Sequence, residues 1–122
     1  MTQNEKSEDI KEDIDYWKKT ANEFFEKGKY LEALEAYETV ARLDPKSSEA
    51  WKGMGTAFYF LGKSYESLES LNKATKIDPN DQESLEIKGL ILKKLLEKNE
   101  EDLKRLKAKK TDASSESAAS GE

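Results

Sequence analysis

Residues 51–62 read Trp-Lys-Gly-Met-Gly-Thr-Ala-Phe-Tyr-Phe-Leu-Gly, and this stretch decides the fold. Its large apolar residues recur at steps of three and four, which places them on one face of an α-helix. Gly62 follows the last of them, and glycine readily takes the left-handed backbone that ends a helix. The stretch therefore predicts an amphipathic helix closed by a glycine turn.

Each feature of this stretch has a counterpart 34 residues earlier in the chain. The matched features are Trp17 and Trp51, Phe24 and Phe58, Gly28 and Gly62, and Leu43-Asp44-Pro45 and Ile77-Asp78-Pro79. A second helix fits between each glycine and the following proline, because apolar residues continue at helical spacing until the proline blocks the helix. The period therefore predicts two helix–turn–helix units.

The motif in residues 51–58 resembles the first-helix signature of tetratricopeptide repeats (TPR), Trp-x2-Leu-Gly-x2-Tyr. Residues 33–37, Ala-x3-Tyr, and the following Asp44-Pro45 match the second half of that repeat. The resemblance implies an all-α fold, a right-handed superhelical stack of antiparallel helix pairs. Ser67 and Leu71 depart from the pattern, because they stand where the family has alanine and an aromatic residue.

The pattern begins a third time and then fails. Leu85, Gly89 and Leu92 lie 34 residues beyond their counterparts in residues 51–58, but the turn glycine expected next is Leu96. Without a glycine or proline, the fifth helix is expected to continue to about residue 110. The predicted segments are a disordered acidic N-terminus at 1–8, a first TPR-like unit with an extended first helix at 9–46, a second TPR-like unit at 47–80, a long capping helix at 81–110 and a disordered tail at 111–122.

Composition excludes several classes of function. The chain has 122 residues, a net charge of −5, and neither cysteine nor histidine. Thiol and imidazole catalysis and Cys/His zinc sites are therefore excluded, and no phosphate-binding loop is present. We expect no enzyme activity, catalytic residue, metal or cofactor. The negative charge disfavours nucleic-acid binding, and no apolar run suits a membrane span, so the predicted location is the cytoplasm.

The family resemblance implies that the first helices of successive units line a concave groove that receives a peptide or a helix. Residues on these helices that lie off the buried stripe are the candidates. They are Lys18, Asn22, Phe25, Lys52, Thr56, Tyr59 and Phe60. Two lysines beside aromatic residues suit a protein or peptide partner with acidic and apolar side chains. The alternative is that the aromatic residues only pack between helices.

Lys18 and Asn22 also resemble the start of the carboxylate clamp with which some TPR proteins hold chaperone tails. The rest of that clamp is missing, because Gly53 stands in place of asparagine and Glu86 and Leu90 in place of lysine and arginine. Binding of a chaperone tail is therefore a less favoured alternative.

The fifth helix offers a second function, that of an oligomerisation adaptor. Apolar residues recur on it at the spacing of a coiled coil, and a homodimer would use Leu92, Leu96, Asn99, Leu103 and Leu106. The alternative is that these leucines face the domain. Five positive charges at residues 104–110 could also contact nucleic acid, but a solvated helix end explains them better.

Overall fold

The chain forms five α-helices in the computed structural model, which describes the backbone of residues 2–120 and the side chains of residues 8–110. The helices are α1 (Thr2–Glu26), α2 (Tyr30–Leu43), α3 (Ser48–Phe60), α4 (Ser64–Ile77) and α5 (Gln82–Ser120). Within the described backbone there is no β-strand. The predicted all-α fold, with five helices and a long last helix, is confirmed.

The outer helices have bounds beyond those that the sequence predicted, since α1 begins at Thr2 and α5 ends at Ser120. Neither flank contains a proline or glycine before Gly121, so nothing there blocks a helix. The predicted disordered segments, residues 1–8 and 111–122, lie almost wholly outside the residues whose side chains the structure describes, and their disorder stays a prediction.

The chain divides into two units. Unit 1 (Met1–Ile91) contains α1 to α4 and the start of α5, and unit 2 (Leu92–Glu122) contains the remainder of α5. Among the described residues, no helix is both long enough and apolar enough to cross a membrane.

Both glycine turns have the geometry that the period predicts. Gly28 and Gly62 take φ angles of +75° and +79°, in the left-handed region that side-chain-bearing residues avoid. After each glycine, the N–H of Lys29 or Lys63 donates to the carbonyl five residues earlier, at 2.9 Å in both turns. These hydrogen bonds satisfy carbonyls at the helix end and reverse the chain.

Small residues occupy the places where the helices cross. Five alanines are fully buried, and the aromatic residues of the repeat lie partly buried around them. The alanines are Ala21, Ala33, Ala50, Ala57 and Ala74. Trp51 is one of these aromatic residues. Its indole N–H donates to the carbonyl of Pro45 at 3.0 Å, and the Nζ of Lys73 lies 4.4 Å from the centre of its ring.

Gly55 explains the two departures from the repeat pattern in α4. A Cβ at Gly55 would lie 2.6 Å from the Cγ of Leu71, so the absence of a side chain lets Leu71 pack directly on α3. The hydroxyl of Ser67 donates to the carbonyl of Gly55. Both Ser67 and Leu71 are fully buried, and they therefore fit the surface that the glycine leaves.

We expect Gly55→Ala to lower the free energy of unfolding by about 1–2 kcal/mol, because overpacking against Leu71 outweighs the higher helix propensity of alanine. Gly89→Ala is the matched control, since its Cβ would meet no atom within 4 Å. It should raise stability by up to about 1 kcal/mol. Urea unfolding followed by circular dichroism measures both, and equal shifts in the two variants would contradict the packing argument.

Candidate functional site

A groove of about 450 Å³ crosses unit 1. It is lined by residues of α1, α2 and α3, by the segment that leads into α5 and by the first turn of α5. The lining residues are Asn22, Phe25, Tyr37, Ser48, Glu49, Lys52, Gly53, Thr56, Asp78, Asp81 and Glu83. The first helices of successive repeats thus contribute side chains to one surface.

Four of the seven residues predicted from the sequence line this groove, namely Asn22, Phe25, Lys52 and Thr56. Lys18 lies beside it, with its Nζ 3.3 Å from a carboxylate oxygen of the lining residue Glu49. Tyr59 and Phe60 join the lining residue Phe25 through aromatic contacts.

These aromatic contacts form a cluster, which we call the aromatic cluster: Phe25, Tyr30, Tyr59 and Phe60. The ring of Phe60 stacks on Tyr30 at 4.7 Å between centroids, and both rings meet the edge or face of Phe25. Phe60 nevertheless remains 52% exposed. Packing between helices therefore accounts for only part of its surface, and the aromatic cluster offers an apolar platform next to the groove.

Tyr37 forms the floor of the groove. Its ring lies where a side chain at position 53 would otherwise stand, because a Cβ on Gly53 would come 2.5 Å from the ring. Its hydroxyl donates a hydrogen bond to the amide oxygen of Asn22. Burial raises the pKa of Tyr37 to about 12, and the charges of Glu49 and Glu83 add to the effect.

Lys52 lies at the centre of the charged part of the groove. Its Nζ is 3.4 Å from Asp81 Oδ2 and 3.3 Å from Glu83 Oε2. Burial opposes the charged form of this lysine, but hydrogen bonding and attraction to Glu83 and Asp81 outweigh it and raise the pKa of Lys52. Thr56 donates its hydroxyl to the backbone carbonyl of Lys52 at 2.8 Å.

Asp81 connects this ion pair to the start of α5. It directly precedes the first residue of the helix, and its Oδ2 accepts a hydrogen bond from the hydroxyl of Ser84 at 2.7 Å. The hydrogen bond from Ser84 lowers the pKa of Asp81, burial opposes this, and the charge of Lys52 supports it. A backbone hydrogen bond from Ser84 also lowers the pKa of Asp81, so the carboxylate caps the start of α5 and binds Lys52 at the same time.

The ion pairs follow the repeat. Lys18 contacts Glu49, and Lys52 contacts Glu83, so the same pair recurs 34 residues along the chain. Each pair joins the first helix of one repeat to the first helix of the next. The residues predicted from the sequence did not include Glu49 or Glu83. Their equivalent positions, 34 residues apart, could have indicated that they share a role.

The groove has more acidic than basic side chains. Four carboxylates and one lysine line it, and the lysine just outside it already faces a carboxylate. The carboxylates are Glu49, Asp78, Asp81 and Glu83. Among the described residues, no group of acidic side chains is arranged to hold a metal ion.

Family comparison agrees with the repeat geometry. The family model described as TPR repeat matches residues 21–62, and the one described as tetratricopeptide repeat matches residues 48–81. The chain belongs to the tetratricopeptide repeat family. The matched region, residues 21–81, contains the glycine turns and most of the groove. No curated protein matches the chain significantly.

Solved TPR structures share this fold. The TPR2B-domain:pHsp70-complex of yeast Sti1 has a TM-score of 0.67 and 21% identity, over 70% of this chain and 68% of that one. The second TPR of Spaghetti (RPAP3), bound to the HSP90 peptide SRMEEVD, has a TM-score of 0.68 and 22% identity, over 76% and 88%. The first TPR of Spaghetti, bound to the same peptide, has a TM-score of 0.64 and 24% identity, over 70% and 72%.

The three positions that depart from the carboxylate clamp, Gly53, Glu86 and Leu90, do not form a carboxylate-binding site in this structure. Gly53 has no room for a side chain, because the Tyr37 ring occupies that space. Glu86 accepts a hydrogen bond from Gln82, and Leu90 is more than half exposed, but neither lines the groove.

The first prediction from this geometry concerns the cap of α5. Asp81→Ala should lower the free energy of unfolding by about 1 kcal/mol at neutral pH. Because the folded-state pKa of Asp81 lies below its ordinary value of 3.8, this contribution is present above that value and is lost as the pH falls through the folded-state pKa. Asp81→Asn, which keeps an oxygen acceptor, should lose less. Urea unfolding at several pH values measures this, and a difference that persists in strong acid would refute it.

The second prediction concerns Tyr37. Between pH 10 and about 12 the unfolded chain releases the proton of this tyrosine while the folded chain keeps it, so wild-type stability should fall as the pH rises. Tyr37→Phe should make the alkaline decline shallower. The two proteins can be compared by thermal unfolding across this range. Parallel curves would show that Tyr37 titrates normally in the folded state.

Proposed function

We propose that this chain is a non-catalytic protein–protein interaction scaffold that binds a peptide or a helix in the groove of unit 1. The observation that supports this most directly is the continuity of the groove with the aromatic cluster, which places polar and apolar contacts side by side. TPR structures of similar fold are described in complex with pHsp70 and with an HSP90 peptide. These likenesses support peptide binding as the general role.

The charge of the groove refines the expected partner. Two lysines led the sequence analysis to an acidic and apolar peptide, but Lys18 and Lys52 are each paired with carboxylates of the next repeat. An acidic ligand would have to displace Glu49 or Glu83 from its lysine. A peptide with a basic side chain next to an apolar one complements both parts of the surface better.

The same reasoning disfavours a chaperone-tail carboxylate as the ligand. Such a tail needs several unpaired donors, whereas Lys52 already contacts Asp81 and Glu83, and Tyr37 donates to Asn22. The groove also contains four carboxylates that would repel it. A cytoplasmic location is compatible with this role and remains a prediction from composition.

Selection from a displayed peptide library tests the proposal with the full chain. We expect enrichment of peptides that combine lysine or arginine with aliphatic or aromatic residues. Glu49→Gln with Glu83→Gln should weaken the selected peptide severalfold, because it removes two carboxylates that attract the basic side chain. Enrichment of acidic peptides, or affinity unchanged by the double variant, would refute the assignment of a basic partner.

The aromatic cluster has its own test with the same peptide. Phe60→Ala should weaken binding by about tenfold, since it removes the exposed platform. Tyr65→Ala is the matched control, because this tyrosine is 68% exposed on α4 and does not line the groove. It should leave binding unchanged. Equal losses in both variants would place the peptide elsewhere on the protein.

A further inference from the structure

Unit 2 carries a row of exposed leucines along α5. Leu92, Leu96, Leu103 and Leu106 are 51%, 59%, 51% and 65% exposed. Together with Asn99 they follow spacings of four, three, four and three residues, which is the pattern of a coiled-coil seam. The four leucines form an exposed apolar stripe, interrupted by Asn99, of the kind that proteins cover with a partner.

We propose that a second copy of this chain covers the leucine row and that the two α5 helices pair in antiparallel orientation. This inference does not depend on the peptide groove, because the residues that face each other in the pair, 92–103, belong to unit 2 and do not line the groove. Its evidence is the distribution of charge along the described part of that unit.

Charge changes sign along this part of α5. Residues 92–98 contain three lysines and one glutamate, residues 97–102 contain four carboxylates and one lysine, and residues 104–110 carry five positive charges. A parallel dimer would place each of these segments against its own copy. The two strongly basic segments would then lie side by side and repel each other.

An antiparallel pair removes this conflict. Seam positions match when Leu92 of one copy faces Leu103 of the other, and Leu96 then faces Asn99. This register brings the acidic segment 97–102 against residues 93–98, which have a net charge of +2.

Flanking charges agree with the same register. Lys93 directly follows the seam residue Leu92, and Glu100 directly follows Asn99, so both occupy the same flanking position of the heptad. In the antiparallel pair these positions face each other, and two Lys93–Glu100 contacts form between the copies. The two Asn99 side chains fall in adjacent layers, where their amides can hydrogen-bond to each other.

Cysteine cross-linking of the full chain distinguishes the orientations, because the sequence contains no cysteine of its own. An equimolar mixture of Leu92→Cys and Leu103→Cys should form a disulfide-linked dimer under mild oxidation, whereas each variant alone should form little. Efficient cross-linking of Leu92→Cys with itself would overturn the antiparallel arrangement.

Sedimentation equilibrium over a range of concentrations tests self-association without relying on the cysteines. Lys93→Glu should weaken the dimer by about tenfold, because it turns two attractive contacts into repulsive ones. Adding Glu100→Lys should restore the affinity. Lys98→Glu, the same charge change off the seam, should have a much smaller effect. A wild-type chain that stays monomeric at every concentration, or a double variant that is not restored, would overturn the proposal.

Discussion

Close approach between helices sets the geometry of unit 1, and it depends on alanine and glycine at the crossing points. Gly55 is the clearest case, because α4 contacts α3 through Leu71 and Ser67 in the space where a Cβ would stand. Protein interiors are packed densely enough that one added methyl group there forces a shift. The large aromatic residues are consequently displaced to the sides of the crossings, where Trp51 and Phe58 remain partly buried.

The same constraint builds the groove. Gly53 lets the Tyr37 ring lie against α3, and the hydroxyl of that ring reaches Asn22 on α1. Ion pairs then join the first helices in register, since the lysine of one repeat contacts the glutamate of the next. These contacts neutralise the lysines and leave a surplus of carboxylates. The groove therefore carries more negative charge than its lysines alone would indicate.

The end of the repeat has a different physical origin. With Leu96 in the place of a third turn glycine, α5 has no left-handed residue to end it and continues as one helix to Ser120. Within unit 1 it completes the stack by burying Ile91 and Ser84. In unit 2 Leu92, Leu96, Leu103 and Leu106 stay exposed, and basic and acidic residues lie in separate segments. The two parts of α5 thus differ, because the first part buries side chains in unit 1 and the second part exposes an apolar row.

The sequence by itself determined the period, the glycine turns, the helix order and four of the groove residues, because proline, glycine and apolar spacing act locally along the chain. The 34-residue spacing of Glu49 and Glu83 is also visible in the sequence and indicates that the two residues are equivalent. Only the tertiary structure decided which carboxylates pair with the lysines and that the Tyr37 ring fills the space beside Gly53. It also decided that Asp81 both caps a helix and pairs with Lys52. These facts depend on distances between residues of different helices, and a one-dimensional pattern does not specify such distances.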